Sequence, residues 1–211
     1  YAFMETYDPN YICNHTDSHG RYSFSNQPSI AEWNSYALAS ALIDLFSESE
    51  LRDILRKFND YFYDSLIEKY RKKLGFKSAL DSDYDLLLGL FEIMEREKLD
   101  YTNTFRDLSM IITSSDDLKL SGNFSSWLAS YKARLGKDEN NIEQSISVMH
   151  ENNPKYILRN YLAQSAIEDA EEGKSEKIDQ LAKVLSNPYD DLGKSMEKYC
   201  KPAPKEQQNQ Q

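Results

Sequence analysis

Glycine, proline and cysteine are all scarce: the 211-residue chain holds 7, 6 and 2 of them. An all-β domain needs frequent tight turns, and turns draw heavily on glycine and proline. Their scarcity points to long helices and a mainly α fold. Two thiols make no disulfide framework, and neither Cys13 nor Cys200 sits in a CxxC or Cys/His pattern that binds zinc. No apolar run approaches the roughly 20 residues that cross a bilayer. The start also lacks the basic patch and apolar stretch of a secretion signal. No membrane association is expected. A glycine-rich phosphate loop and a Walker-type lysine are missing too, so spacing alone reveals no residue set that grips a nucleotide. The first residue is Tyr1 and not Met, and a piece of a longer protein is expected.

What is present suits a folded acidic protein. Hydrophobic residues make up 40% and charged residues 28%, enough to build a core. Net charge is -10 and the isoelectric point about 4.9. Such a surface repels a phosphate backbone, so no nucleic-acid partner is expected. The one dense basic stretch, Arg71-Lys72-Lys73, ends a helical pattern, where cations favour the negative pole of the helix dipole.

Along the chain, residues 1–27 carry no helical or strand period and are expected to form an ordered loop. A helical lobe is expected over 28–200 and a disordered tail over 201–211. Pro28 suits a first helical turn. Ile30, Trp33, Ala37, Leu38, Ala41, Leu42 and Leu45 then recur at steps of three and four. Ser47 to Glu50 reads as a capping box opening a second helix that runs past Tyr70 and stops at Gly75. Further helices are expected over Tyr84–Leu99, Thr102–Ile112, Phe124–Leu135 and Asn141–His150. Another runs from Pro154 to Gly173, and a last one spans Glu176–Leu185.

The loop from Tyr11 to Tyr22 gathers the titratable groups. Cys13 and His15, with Asp17 as orienter, have the residue types of a nucleophile and its base. His15, Asp17 and His19 have the types of a zinc or iron site, in no standard metal pattern. The competing reading is structural: a polar loop pinned by Arg21 to a carboxylate. His150 reads as a helix-end residue, where a cation is favoured. The acidic clusters Asp116-Asp117, Asp190-Asp191 and Glu168 to Glu172 read as solvated surface.

The stretch YAFMETYDPNYICNHTDSHGRYSFSNQPSIAEWN (Tyr1–Asn34) resembles the selenoprotein O family of protein adenylyltransferases, which have a kinase-like fold. DYTNTFRDLS (Asp100–Ser109), NPKYILRNYLAQSAIEDAEEG (Asn153–Gly173) and VLSNPYD (Val184–Asp190) resemble it in the same order. The resemblance implies a two-lobed protein about twice this long that transfers AMP from ATP onto Ser, Thr or Tyr of proteins. It implies ATP and magnesium as cofactors of the full-length protein. The residues that hold them would lie upstream of Tyr1, so no catalytic, cofactor-binding or metal-binding residue is carried over to this chain.

On this reading residues 1–27 correspond to an activation segment, with Cys13, His15, Asp17 and Arg21 as its candidate regulatory or redox residues. The helical remainder corresponds to the carboxy-terminal lobe. Its partners would be an amino-terminal kinase-like half, in the same or a separate chain, and protein substrates. The chain alone is expected to be inactive and to bind neither ATP nor magnesium. Residues near Phe3, Tyr7 and Tyr11 are expected on the surface that meets the other half. Family members reside in bacterial cytoplasm or in mitochondria. In the family a residue near the carboxy terminus pairs with the activation-segment cysteine; Cys200 lies upstream of that expected place. The alternative is a stand-alone helical interaction module without catalysis.

Overall fold

The computed structural model describes residues 3–14, 16–113, 122–138 and 141–204. Among them, nine α-helices follow an irregular first segment: α1 (Gln27–Ala41), α2 (Glu48–Leu55), α3 (Phe58–Lys73), α4 (Asp83–Glu97), α5 (Tyr101–Ile111), α6 (Gly122–Leu135), α7 (Ile142–Asn152), α8 (Asn160–Glu171) and α9 (Glu176–Ser186). Short 3-10 turns cover Phe24–Asn26, Gly136–Asp138 and Lys194–Tyr199. The extended pairing among the described residues is one antiparallel bridge, Thr6 to Asp100. The fold is mainly α, as expected.

Local chemistry sets most helix ends. The Ser47 hydroxyl accepts from the Glu50 amide, and the Glu50 carboxylate accepts from the Ser47 amide at 3.1 Å, the reciprocal pairing of a capping box. Asp100 and Asn141 cap α5 and α7 by accepting from the amides of Asn103 and Gln144. Gly75 ends α3 at φ +74°. A side chain there would meet Met149 Cγ at 2.9 Å and the Ser145 carbonyl at 3.0 Å, so the turn and the close approach of α7 both demand glycine.

Three boundaries differ from the sequence reading. The long second helix is two, α2 and α3, because the Lys57 amide bonds the Ile54 carbonyl three residues back and tightens the turn before α3 resumes. The helix expected from Pro154 begins only at Asn160. The amides of Lys155 and Tyr156 both bond the Pro188 carbonyl (2.7 and 3.0 Å), which holds the strip before α8 extended. The turn Lys194–Tyr199 had no periodic signal. Of the expected tail, residues 201–204 are described, and they contact the body: Tyr161 Oη donates to the Lys201 carbonyl at 2.9 Å. Residues 205–211 lie outside the described set.

Two cores result. The larger joins the end of α3 to α4, α5, α6 and α7 through Leu74, Leu90, Met94, Phe105, Leu108, Tyr131 and Met149. Tyr7 of the first segment belongs to it, stacked on Phe91 with ring centroids 5.0 Å apart. That corrects the expectation for Tyr7, which is 6% exposed and faces inward, while Phe3 remains in solvent. Burial, with Tyr70 and Glu95 nearby, pushes the Tyr7 hydroxyl up to about 12. The smaller core gathers Tyr156, Ala166, Leu181, Val184 and Tyr199 around α8 and α9.

The helix α1 behaves differently. Its apolar positions recur as read, yet between Gln27 and Leu66 the sole buried residue is Ala39. The stripe stays in solvent.

Candidate functional site

The first segment is an ordered loop clipped at its base. The Phe24 amide bonds the Tyr11 carbonyl, and the Ser25 amide bonds the Pro9 carbonyl, both at 2.9 Å. At its tip, one Asp17 oxygen accepts from the Arg21 amide (2.9 Å) and the other from the Tyr22 amide (2.7 Å). Asp17 is thus a staple for the turn that passes through Gly20, its carboxylate engaged by backbone.

The Arg21 guanidinium goes elsewhere. It lies 4.5 Å from the Trp33 ring centroid and 5.7 Å from that of Tyr22, a cation–π arrangement that fastens the loop tip to α1. Arg21 and a carboxylate do meet, but through the Arg21 amide and not its charged head. This corrects the pinning mode read from the sequence. His15 and Asp116-Asp117 lie outside the described residues. The Ser18 hydroxyl sits 3.1 Å from His19 Nδ1. Among the described residues no group of three or more His, Cys, Asp or Glu is arranged to hold a metal ion.

Cys13 points to a different neighbourhood. With Phe3, Tyr11, Phe24, Tyr101 and Ile157 it lines a largely apolar cavity of about 330 Å³ between the loop and the ends of α3 and α7. Lys73 also lines it, donating to the Asn152 carbonyl at 3.2 Å and to Asn153 Oδ1 at 3.3 Å. Burial, offset by no carboxylate among the described residues, lowers the ammonium to about 8. Cys13 and Cys200 are both free thiols.

The loop is anchored by residues that the sequence reading did not single out. The Arg159 side chain is fully buried just before α8. Its guanidinium reaches Asp100 at 2.6 Å, Glu5 at 3.0 Å, and Asn103 and the Cys200 carbonyl at 3.2 Å. Backbone bonds reinforce the junction: Tyr7 N–H to the Leu99 carbonyl (2.9 Å) and Tyr101 N–H to the Glu5 carbonyl (2.7 Å). The two carboxylates offset the burial of the guanidinium, whose terminal nitrogens are bonded while its Nε makes no hydrogen bond among the described residues. The signal that could have found them was an arginine directly after the apolar triplet Tyr156-Ile157-Leu158.

A second buried polar knot braces the lobe. Asp83 accepts from Arg134 at 2.5 Å and from Arg71 at 2.8 Å, while Arg134 also pairs with Asp138 at 3.0 Å. The basic run thus sits at a helix end as read, with Arg71 turned to Asp83 and Lys72 to Glu68. His150, in the last turn of α7, differs from expectation. Burial and the nearby Arg106 lower its pKa, so the neutral ring is favoured, and its Nε2 lies 2.9 Å from the Ser109 hydroxyl. Asp191 is ion-paired with Lys155, and Glu172 with Lys174. No helix among the described residues is long and apolar enough to cross a membrane.

Comparison with known proteins places these features. The family described as Protein adenylyltransferase SelO matches residues 1–186. Proteins named Protein nucleotidyltransferase YdiU are similar throughout. The one from Pseudomonas fluorescens (strain Pf0-1) is 40% identical over 97% of this chain and 43% of its own length. That from Stutzerimonas stutzeri (strain A1501) is 39% identical over the same shares. That from Pectobacterium carotovorum subsp. carotovorum (strain PC1) is 39% identical over 90% of this chain and 41% of its own. The chain therefore spans less than half the length of these relatives.

Proposed function

The chain belongs to the SelO family of protein adenylyltransferases, and we propose that it forms the carboxy-terminal helical lobe of such an enzyme. In this reading the lobe belongs to a protein-kinase-like fold, and its first segment is the activation-segment counterpart. The full enzyme transfers AMP from ATP, with magnesium, to Ser, Thr or Tyr hydroxyls of protein substrates. The observation that carries the reading is the family match, which runs through the loop and through both halves of the Arg159 junction that docks it.

Within this chain the candidate residues do not fit a magnesium–nucleotide site. Asp17 is engaged by loop amides, Arg21 is stacked on Trp33, and the buried carboxylates Asp83 and Asp138 are matched by arginine. Phosphoryl-type transfer depends on positioned metals and cations around the phosphates. The contribution of this chain is therefore positional: it holds the loop rigidly against the helical floor, through Arg159 below and Tyr7 within the core. Nucleotide and metal are gripped by the amino-terminal half.

The test is incubation with labelled ATP, magnesium and a generic protein acceptor. The chain alone is expected to incorporate no AMP, and incorporation is expected once the missing half is supplied. Substantial transfer by the isolated chain overturns the division of labour.

A further inference from the structure

The forty residues from Gln27 to Leu66 fold into three helical pieces and bury Ala39 alone. Exposed large apolar side chains are concentrated here: Leu45 is 75% exposed, Ile54 and Tyr61 68%, Leu38 63% and Trp33 55%. Soluble monomers rarely leave contiguous apolar surface of this kind uncovered. Between α1, α2 and α3, Ile54 and Tyr61 with Leu55, Phe58 and Phe62 line a groove of about 560 Å³. The arm is nonetheless well formed. It has a complete capping box, an Arg52–Glu48 pair, and an Asn59-to-Glu32 hydrogen bond at 3.2 Å joining α3 to α1. The second half of α3 then enters the main core at Ile67 and Tyr70.

We propose that this face, α1 with α2 and the first half of α3, is the seat of the amino-terminal half of the adenylyltransferase. The inference rests on the reading above, and it moves the interface away from Tyr7 to a different set of residues. The relatives carry more than half of their length outside the matched region, which supplies an occupant of sufficient size. Charge argues against a second copy of this chain. Across 27–66 seven carboxylates face three cations, so two such faces would meet with like sign. An occupant with a basic rim around an apolar centre fits. The loop tip is attached to this same arm through Arg21 on Trp33, so whatever covers α1 also sets the position of the activation-segment counterpart.

The test co-expresses this chain with the remainder of the Pseudomonas fluorescens (strain Pf0-1) relative, the part outside its matched region. A one-to-one complex by sedimentation is expected, with amides of 27–66 exchanging at least about tenfold slower than in the chain alone. Leu38→Glu and Ile54→Glu, each on a solvent-facing site and checked for unchanged helicity, are expected to abolish the complex. Ile167→Glu on α8, also exposed, is expected to leave it intact. Failure to form a complex, a complex that survives both substitutions, or protection of 27–66 by self-association overturns the proposal. AMP transfer is read separately. A complex without transfer keeps the interface and removes the activity, whereas transfer undiminished by both variants keeps the activity and removes the interface.

Discussion

Arg159 and Asp100 meet at 2.6 Å across 59 positions of sequence, with the arginine wholly buried and the carboxylate 15% exposed. Asp100 also caps α5 with its carboxylate and bridges Thr6 through the backbone, so one residue joins the helix start, the loop and the strip before α8.

Removing the arginine takes the guanidinium from Asp100 and Glu5, two mostly buried neighbouring carboxylates that keep the Asn103 and Ala203 amides but lose their countercharge. Arg159→Met is expected to destabilise the fold by about 3–5 kcal/mol, the usual cost of breaking one side of a buried pair. Arg159→Lys is expected to recover only part, since an ammonium cannot replace a planar fork that serves four acceptors. Urea denaturation of the three proteins decides it; a Met variant as stable as the parent removes the junction from any role in docking the loop.

Acid should weaken the lobe through the Asp83 knot. Burial alone raises the Asp83 carboxyl, but hydrogen bonds from Arg134, the Leu80 amide and Arg71 outweigh it and hold the group below its ordinary 3.8. Burial likewise opposes, and Ser78, the Lys77 amide and Arg134 outweigh, at Asp138. Each folded value lies below the unfolded one, so the stabilisation is full above the ordinary value and is lost as pH falls through the lower one. Asp107 has the opposite sign, raised by burial and by Asp100, and offsets part of the loss. Unfolding midpoints measured from about pH 6 to about pH 3 should fall steeply in the parent. Asp83→Asn should start lower and fall less; an equal slope contradicts the assignment.

Lys73 gives a rise on the alkaline side. Its folded value of about 8 lies below the ordinary 10.5 because burial disfavours the charge. Between those values the unfolded chain binds more protons, and stability climbs with pH. Tyr7, Tyr101 and Tyr131 are raised, and they reverse the trend only once tyrosines ionise in the unfolded chain. The denaturation midpoint should therefore increase from about pH 7.5 to about pH 9.5 in the parent and stay flat in Lys73→Met. A flat parent profile would mean that the ammonium is solvated.

Much of the helical frame was legible because its determinants are local. Ser47 and Glu50 write a capping box within four residues, and Gly75 writes a stop. What escaped depends on distant partners. Nothing near Asn160 announces that the Pro188 carbonyl will hold residues 155 and 156 extended. Tyr7 looks like any loop tyrosine until α4 offers Phe91 as a stacking surface. Periodicity showed that α1 has an apolar face, but a repeat of three and four says nothing about what covers that face. In the loop, Asp17 was singled out for chemistry because a carboxylate beside histidines looks reactive. Its actual work, accepting two amides a few residues on, leaves the same sequence trace.

Glu5 receives the Arg159 guanidinium and also the Ala203 amide, at 3.1 Å across 198 positions. Loop closure over so long a span gives a contact that local helix formation cannot nucleate. During translation α1 to α7 can assemble while Glu5 still waits for both of its donors to be synthesised. The anchor of the loop is thus completed only once Ala203 is made, and a ribosome that stalls before it releases a lobe whose loop is not yet fully tied down.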